Sequence, residues 1–310
     1  MKIAVMGSGG VGAYYGGLLA CDNHDVYFVA RGAHLEAIRQ HGLQIKSVHG
    51  DFSIFPAQAT DNPTEIGSAD LVLFCVKTPA TDPAAQAIQP IIGEHTTLIS
   101  LQNGIDAAER IGAQIGMAHV LGGATWISSS IEAPGVVRQV SQFRRVVLGE
   151  LNGVLTPRLQ QIRQAFSQAG ITAEATSDIL KVLWTKFTFI AAVSGIGALV
   201  RLEMGDYRSV PETRRVLIQL MREVEAVGRA RGVRLDGDVV EQTLDFIDQS
   251  APHIKPSMQR DFEAGRPSEL DSMLGIIGRE GRKMGVSTPA ADTLYALLLP
   301  AELKASRAVV

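Results

Sequence analysis

Apolar and polar positions alternate along the first half of the chain as they do where short buried strands are separated by helices. Strands that alternate with helices in this way build a doubly wound parallel sheet with helices on both faces. The pattern predicts strands at 1–6, 25–30, 71–76 and 97–101, a helix over 33–41, and a strand pair over 43–55 that turns at His49-Gly50-Asp51.

The pattern changes between about 118 and 150, where strands and turn signals predominate. A strand is predicted over 118–127, and Ala133-Pro134-Gly135 is a turn signal. We expect the alternating segment 136–140 to pair with 145–149 as an antiparallel edge of the sheet. A helix over 157–170 and a strand over 171–175 then complete the first domain.

From Ser177 onward the sequence is almost entirely helical in pattern. We therefore expect an α/β domain over residues 1–176, followed by an all-α domain over residues 177–310. Helices are predicted at 178–200, 211–232, 236–250 and 267–285, with a last one after Pro289.

The first strand runs directly into Gly7-Ser8-Gly9-Gly10-Val11-Gly12, which opens a helical pattern. A strand, a Gly-x-Gly-x-x-Gly turn and a helix together form the pyrophosphate site of dinucleotide-binding folds. The first glycine permits the tight turn, the second the close approach of phosphate, and the third the packing of helix on strand. The helix N-terminus adds free N–H groups and a positive dipole end. An incidental glycine cluster is the alternative, because the chain has 31 glycines.

The second predicted strand ends at Arg31, where an NAD-specific site would carry Asp or Glu to accept from the ribose 2′-hydroxyl. A guanidinium instead suits a 2′-phosphate, through charge-assisted hydrogen bonds. The residue therefore predicts NADPH/NADP⁺ as cofactor, and the alternative is an ordinary solvated loop charge.

Composition narrows the classes of partner. The chain of 310 residues has 46% hydrophobic residues and a net charge of −3, so it offers no basic field for nucleic acid or anionic lipid. We predict no membrane partner, because the apolar run 187–200 is too short and too rich in small polar residues to span a bilayer. No signal peptide is predicted either, since the first strand occupies its place. Cys21 and Cys75 suit buried free thiols in a cytoplasmic protein, and no metal site is predicted. A homodimer is left open.

Several polar residues are candidates for chemistry. Lys77 and Asn103 each follow a predicted strand, at the edge where parallel sheets bind ligands, although both could be solvated turn residues. Lys186 is a lone lysine in an apolar helical stretch and suits a general acid, although it could snorkel to the surface. Ser257 and Glu269 lie in polar segments farther on, where Glu269 could simply cap a helix.

The chain resembles the ketopantoate reductase (2-dehydropantoate 2-reductase) family along its whole length. The matching pieces are Gly7-x-Gly9-x-x-Gly12, Arg31, Cys75-Val76-Lys77-Thr78, Gln102-Asn103-Gly104, Trp184-x-Lys186, Ser257-Met258 and Glu269-x-Asp271. The resemblance implies a Rossmann-like domain followed by a helical substrate domain. It also implies NADPH-dependent reduction of a 2-oxo acid in pantothenate biosynthesis.

Site roles also follow from this resemblance. It implies that Lys186 is the general acid and that Glu269 acts in catalysis and touches the cofactor. It places Glu269 and Ser257 in the substrate pocket, and Lys77 and Asn103 near the nicotinamide and the substrate. An apolar pocket would lower the pKa of Lys186 and Glu269 would raise it, so the sequence leaves the net shift open.

One departure concerns the substrate. The family often has asparagines four and eight residues after the lysine, where this chain has Ile190 and Ser194 on the same helix face. Isoleucine cannot hydrogen-bond a substrate hydroxyl, so a sister reductase acting on another 2-oxo acid is an alternative. A β-hydroxyacid or glycerol-phosphate type of dehydrogenase is another, although it predicts an asparagine at position 190. The third is a non-enzymatic NADP(H) sensor, which would need no acid.

Overall fold

The computed structural model describes residues 1–308, and within them the chain forms two compact units. The first unit comprises Met1–Gln102 and Asp106–Ile179. The second comprises the short segment Asn103–Ile105 and the chain from Leu180 onward.

The first unit is built on an eight-stranded sheet and a smaller four-stranded one. Its strands are β1 (Lys2–Met6), β2 (Asp25–Val29), β3 (Leu43–Ser47), β4 (Phe52–Ile54), β5 (Gln58–Thr60), β6 (Ala69–Phe74), β7 (Ile92–Ser100), β8 (Val120–Trp126), β9 (Ser129–Ala133), β10 (Val136–Gln139), β11 (Arg145–Glu150) and β12 (Thr172–Ala175). Its helices are α1 (Gly10–Cys21), α2 (Gly32–His41), α3 (Thr81–Ala87), α4 (Ala107–Ile115) and α5 (Pro157–Gln168).

The large sheet has the order β12-β11-β8-β7-β6-β1-β2-β5, and every neighbouring pair is parallel except β8 with β11. Side chains alternate across it: Ile3 and Val5 pack into the core on one face, while Ala4 and Met6 pack on the other. A strand buried on both faces reads as a continuous apolar run, as β1 does from Ile3 to Met6. From β1 the chain proceeds to β2 on one side and later to β6 on the other. The predicted doubly wound sheet is confirmed, with one antiparallel junction.

The predicted pairing of 136–140 with 145–149 is wrong. The turn at Pro134 and Gly135 reverses the chain, so that β10 pairs with β9 as a hairpin and with β3 on its other side. Gly135 supplies the positive φ of +75° that this turn requires. Strand β11 pairs instead with β8 and β12 in the large sheet.

The second unit is helical, as predicted. Its helices are α6 (Ile179–Val200), α7 (Met204–Arg208), α8 (Pro211–Ala230), α9 (Val239–Gln249), α10 (Ser257–Glu263), α11 (Ile276–Met284) and α12 (Pro289–Arg307). Helix α6 begins eight residues before the apolar run at 187–200, so it is long and apolar enough to cross a membrane by length and composition. Most of its apolar stretch is buried, and Phe187, Ala191 and Val193 lie in the helical core.

Two further expectations need correction. The helix predicted from 267 begins later, as a π-helical turn over Asp271–Gly275 that continues into α11. The Ser268 hydroxyl accepts from the Leu270 N–H, and this local hydrogen bond competes with helix formation at 267–269. Cys21 is exposed rather than buried, because it is the last residue of α1, whereas Cys75 is partly buried; both thiols are free.

Candidate active site

The glycine-rich loop lies at the carboxyl end of β1, an interior strand of the large sheet between β6 and β2. Gly7 has a φ of +96°, and a Cβ there would lie 2.8 Å from the backbone nitrogen of Val76. A Cβ on Gly12 would collide with the carbonyl oxygen of Gly7. Gly9, in contrast, faces open space. Two glycines are therefore required by the turn and the packing, and the third leaves room for a ligand.

The N-terminus of α1 follows this loop and is suited to an anion. Its N-cap residue, Gly9, provides no side-chain cap for the first turn, so the helix N–H groups and dipole face outward. The Ser8 N–H and hydroxyl both donate to the Val29 carbonyl, at 3.0 and 3.1 Å. Of the other predicted loop residues, Gly10 packs against the backbone of Ser129, and Val11 is partly buried. The loop thus offers backbone groups, rather than side chains, to a phosphate.

A cavity of about 280 Å³ adjoins this loop, between the ends of β1, β2 and β6. This is the point at which the strand order reverses, where open α/β sheets bind their ligands. Gly9, Arg31, His34, Val76 and Ile131 are among the lining residues. Arg31 is exposed and is the N-cap of α2, so its guanidinium shares a cavity with the glycine loop. Lys77 is exposed and follows Val76 directly.

The structure assigns contacts at this end of the sheet to two further residues: His34, which the sequence did not single out, and Gln102, which was named only within the family match Gln102-Asn103-Gly104. His34, three residues after Arg31, contacts the glycine loop, as described below. Gln102, which is buried, donates from Nε2 to the Val76 carbonyl and to the Thr81 hydroxyl, both at 2.9 Å. It therefore ties the end of β7 to the loop after β6. Each contacts a backbone carbonyl that is distant in the sequence, and the sequence pattern reveals neither contact.

Lys186 lies on α6 and is partly buried. Its Nζ donates a hydrogen bond of 2.9 Å to Oδ1 of Asn103, so the structure brings together two candidates that are 83 residues apart. Burial lowers the pKa of Lys186 to about 8, and the charge of Glu269 opposes this shift. The net shift that the sequence left open is therefore downward. A lysine with this pKa is a suitable proton donor near neutral pH.

Glu269 stands directly before the π-helical turn, with 8% of its surface exposed. Its carbonyl accepts from the Met273 N–H at 3.0 Å. The preceding Ser268 is fixed by Glu302 of α12, whose carboxylate accepts from the Ser268 N–H at 2.9 Å and from its hydroxyl at 2.5 Å. π-Helical turns are uncommon and frequently occur at functional sites. The backbone that carries Glu269 is thus held on both sides.

The remaining candidates differ in their surroundings. Ser194 is 1% exposed, and Ile190 is partly buried against the helical core. Ser257 is exposed at the first residue of α10. A hydrogen bond therefore joins Lys186 with Asn103, and the charge of Glu269 acts on Lys186, while the role of Ser257 stays a prediction.

Comparison with known proteins identifies the family. The family model described as ketopantoate reductase PanE/ApbA matches residues 3–153, and the model of its C-terminal part matches residues 178–302. The chain belongs to the ketopantoate reductase family.

Individual relatives agree with this assignment. A 2-dehydropantoate 2-reductase from Mesorhizobium japonicum is 30% identical, over 96% of this chain and 97% of its own. An uncharacterized oxidoreductase, YkpB, from Bacillus subtilis is 32% identical, over 96% and 98%. The crystal structure of a PanE/ApbA family ketopantoate reductase from Ralstonia eutropha JMP134 has a TM-score of 0.91 and 31% identity, covering 99% of this chain and all of that one.

The fold is also shared with D-mandelate dehydrogenase, in a ternary structure with NADH and anilino(oxo)acetate. That structure has a TM-score of 0.91 and 23% identity, and it covers 99% of both chains. As a member of the ketopantoate reductase family, the protein is an oxidoreductase that acts on CH–OH groups.

Proposed function

We propose that the protein catalyses the NADPH-dependent reduction of a 2-oxo acid, foremost 2-dehydropantoate to pantoate, with Lys186 as the general acid. The observation that carries the proposal is the environment of Lys186. It combines a pKa lowered to about 8, a hydrogen bond to Asn103 and the nearby charge of Glu269.

The residues of the cavity beside the glycine loop fit the cofactor. The loop over residues 7–12 and the N-terminus of α1 would hold the pyrophosphate, and Arg31 would hold the 2′-phosphate. Following the family resemblance, Lys77, Asn103 and Glu269 are proposed to contact the cofactor as well. When bound, NADPH supplies the hydride for the ketone carbon.

Lys186 meets the charge that this reduction creates. As the ketone carbon gains a hydride, negative charge develops on its oxygen, and a positioned ammonium stabilises that charge and then donates a proton to it. One N–H bond of Lys186 breaks, the O–H bond of the alcohol forms, and the neutral amine regains a proton from solvent. Because the pKa is about 8, Lys186 is mostly an ammonium at pH 7 and gives up its proton more readily than an ordinary lysine.

Asn103 and Glu269 prepare this lysine for its role. Asn103 accepts one of the three ammonium hydrogens and so fixes the direction of the others. The negative charge of Glu269 favours the ammonium, and without it burial would lower the pKa of Lys186 further. We propose that Ser257 and Glu269 also contact the substrate, as the family resemblance implies.

The identity of the oxo acid depends on the residues that follow Lys186. Ile190 and Ser194 occupy positions where the family often has asparagines, and Ile190 offers no hydrogen bond to a substrate hydroxyl. This supports an alternative in which the protein reduces another 2-oxo acid of similar size. The relative YkpB, an oxidoreductase without an assigned substrate, is compatible with both.

A steady-state assay tests the proposal. NADPH oxidation is followed by absorbance with 2-dehydropantoate and with a panel of 2-oxo acids that differ in branching and in the terminal hydroxyl. Turnover with 2-dehydropantoate far above the panel would support the first substrate, and turnover led by another member would support the alternative. Binding of NADPH without turnover of any 2-oxo acid would contradict the enzymatic proposal and favour a sensor.

A further inference from the structure

His34 bridges two segments that border the cofactor cavity. Its Nδ1 accepts from the Gly135 N–H at 3.0 Å, at the turn of the β9–β10 hairpin. Its Nε2 lies 2.9 Å from the carbonyl oxygen of Ser8, in the glycine loop. Since an N–H faces Nδ1 and a carbonyl faces Nε2, only the neutral ring with its proton on Nε2 satisfies both contacts.

The contact with Ser8 determines the direction of the next amide. A peptide bond is planar and trans, so the Gly9 N–H points opposite to the Ser8 carbonyl that His34 holds. Gly9 faces open space at the N-terminus of α1. Because the loop is rich in glycine, its backbone can adopt many conformations, and contacts from outside the loop restrict it to one. The Ser8 N–H and hydroxyl are held by Val29, so His34 completes the fixation of this peptide.

The hairpin contact matters for the same cavity. Ile131 of β9 lines the cavity, and the Ser129 backbone packs on Gly10 so closely that a Cβ there would lie 2.5 Å from the Ser129 oxygen. His34 therefore links the glycine loop to a hairpin that forms another part of the wall.

We propose that His34 is a positioning residue of the dinucleotide site. It acts as a neutral bridge that orients the Gly9 N–H toward the pyrophosphate and holds the β9–β10 hairpin beside the cofactor. The inference rests on the proposed cofactor site but assigns a role that the glycine motif and Arg31 do not contain.

The electrostatic surroundings agree with a neutral ring. Burial lowers the pKa of His34, while its hydrogen bond with the Ser8 carbonyl opposes that shift. Among the described residues that line the cavity, Arg31 carries a positive charge, and it disfavours a second positive charge on His34. On the hairpin, Glu132 is engaged by Lys46 and Arg138. A protonated His34 would present an N–H to the Gly135 N–H and lose that contact.

The test separates the two hydrogen bonds of the ring by substitution. H34Q places a donor where Nε2 lies, H34N keeps an acceptor where Nδ1 lies, and H41Q alters an exposed histidine on the same helix as a control. The dissociation constant for NADP⁺ is measured by titration calorimetry with the full chain. Thermal unfolding and a binding stoichiometry near one establish that each variant is folded.

We expect H34N, which loses the contact with the Ser8 carbonyl, to raise the Kd by about three- to tenfold, as the loss of one hydrogen bond predicts. H34Q keeps that contact and loses the one with Gly135, so it should raise the Kd by less, about two- to threefold, and H41Q should match the parent. Between pH 7.5 and 5.5 the Kd of the parent should rise relative to that of H34Q, because protonation of His34 removes the Gly135 contact that H34Q already lacks. The 2′-phosphate titrates equally in both and cancels in this comparison.

Three results would overturn the inference. They are an unchanged Kd in H34N, an H34Q as weak as H34N, or binding that tightens on acidification in the parent relative to H34Q. Failure of the proposed cofactor preference is distinguishable from these. A parent that binds NAD⁺ but not NADP⁺ would contradict the role of Arg31, and the same variants measured with NAD⁺ would still test His34.

Discussion

The pH dependence of the reaction should report the unusual pKa of Lys186. The structure gives this lysine a pKa of about 8, because burial outweighs the charge of Glu269. If its ammonium is the proton donor, kcat/KM for reduction should be constant near neutral pH and fall about tenfold per pH unit above 8. Oxidation of the hydroxy acid needs the neutral amine, so its kcat/KM should rise with pH and level off above about 8.

Substituting Glu269 tests the physical origin of that value. E269Q keeps the shape of the side chain but removes the negative charge that raises the pKa of Lys186. Burial should then lower this pKa further. The descending limb for reduction should move below pH 8, by about one pH unit. E225Q, which removes a carboxylate paired with Arg229 on α8, is the matched control and should leave the limb unmoved.

The assay is the initial rate of NADPH consumption at saturating cofactor, from pH 6 to 10, for the parent and the variants. K186A should lower kcat by about a hundredfold or more, bind NADPH nearly as well as the parent, and lack the limb at pH 8. A parent whose rate is independent of pH up to 10, or a K186A variant that keeps the same limb, would refute the assignment of Lys186.

Three further outcomes are expected. R31A should lower the preference for NADPH over NADH by about ten- to a hundredfold, since a charge-assisted contact to the 2′-phosphate contributes roughly 1.5–3 kcal/mol; an unchanged ratio of the two affinities would contradict it. Because Ile190 leaves no amide unpaired, kcat/KM for 2-dehydropantoate should exceed that for its analogue without the terminal hydroxyl by far less than about 10⁴-fold, and a larger ratio would restore the plain family substrate. E302A should lower the free energy of unfolding by about 1–3 kcal/mol in urea titrations, because the buried Ser268 N–H loses its acceptor; no change would show that water replaces the carboxylate.

The sequence predicted those strands and turns that are determined by residues close to one another in the chain. The apolar strands of the large sheet and the glycine turn each follow from neighbouring residues, and both appear in the structure. The partner of 136–140 did not follow, because alternation marks a strand but not the strand beside which it lies. The turn at Gly135 was recognised as a signal, yet its consequence, a hairpin with β9, required the rest of the sheet.

The candidate site shows the same division. Lys186 was conspicuous because it is the single charge in the apolar stretch 183–200 of α6, and Asn103 because it follows a strand. No local pattern shows that the two side chains meet. His34 was missed and the contact of Gln102 was not foreseen, because each binds a backbone carbonyl distant in sequence, at Ser8 and Val76. Side chains that hold the backbone in place carry no signature of their own.

The pKa of Lys186 required structure for a more specific reason. Burial of the ammonium lowers this pKa and the negative charge of Glu269 raises it, and both effects arise within the helical unit. The sequence shows that Lys186 and Glu269 are present, but it gives neither the depth at which the ammonium is buried nor its distance from the carboxylate. The size of each effect depends on that distance and on the local dielectric. In the structure desolvation is the larger effect. A lysine shifted downward but still protonated at pH 7 can serve both as a stabilising charge and as a proton donor, so the balance between burial and Glu269 is itself the property on which the proposed chemistry depends.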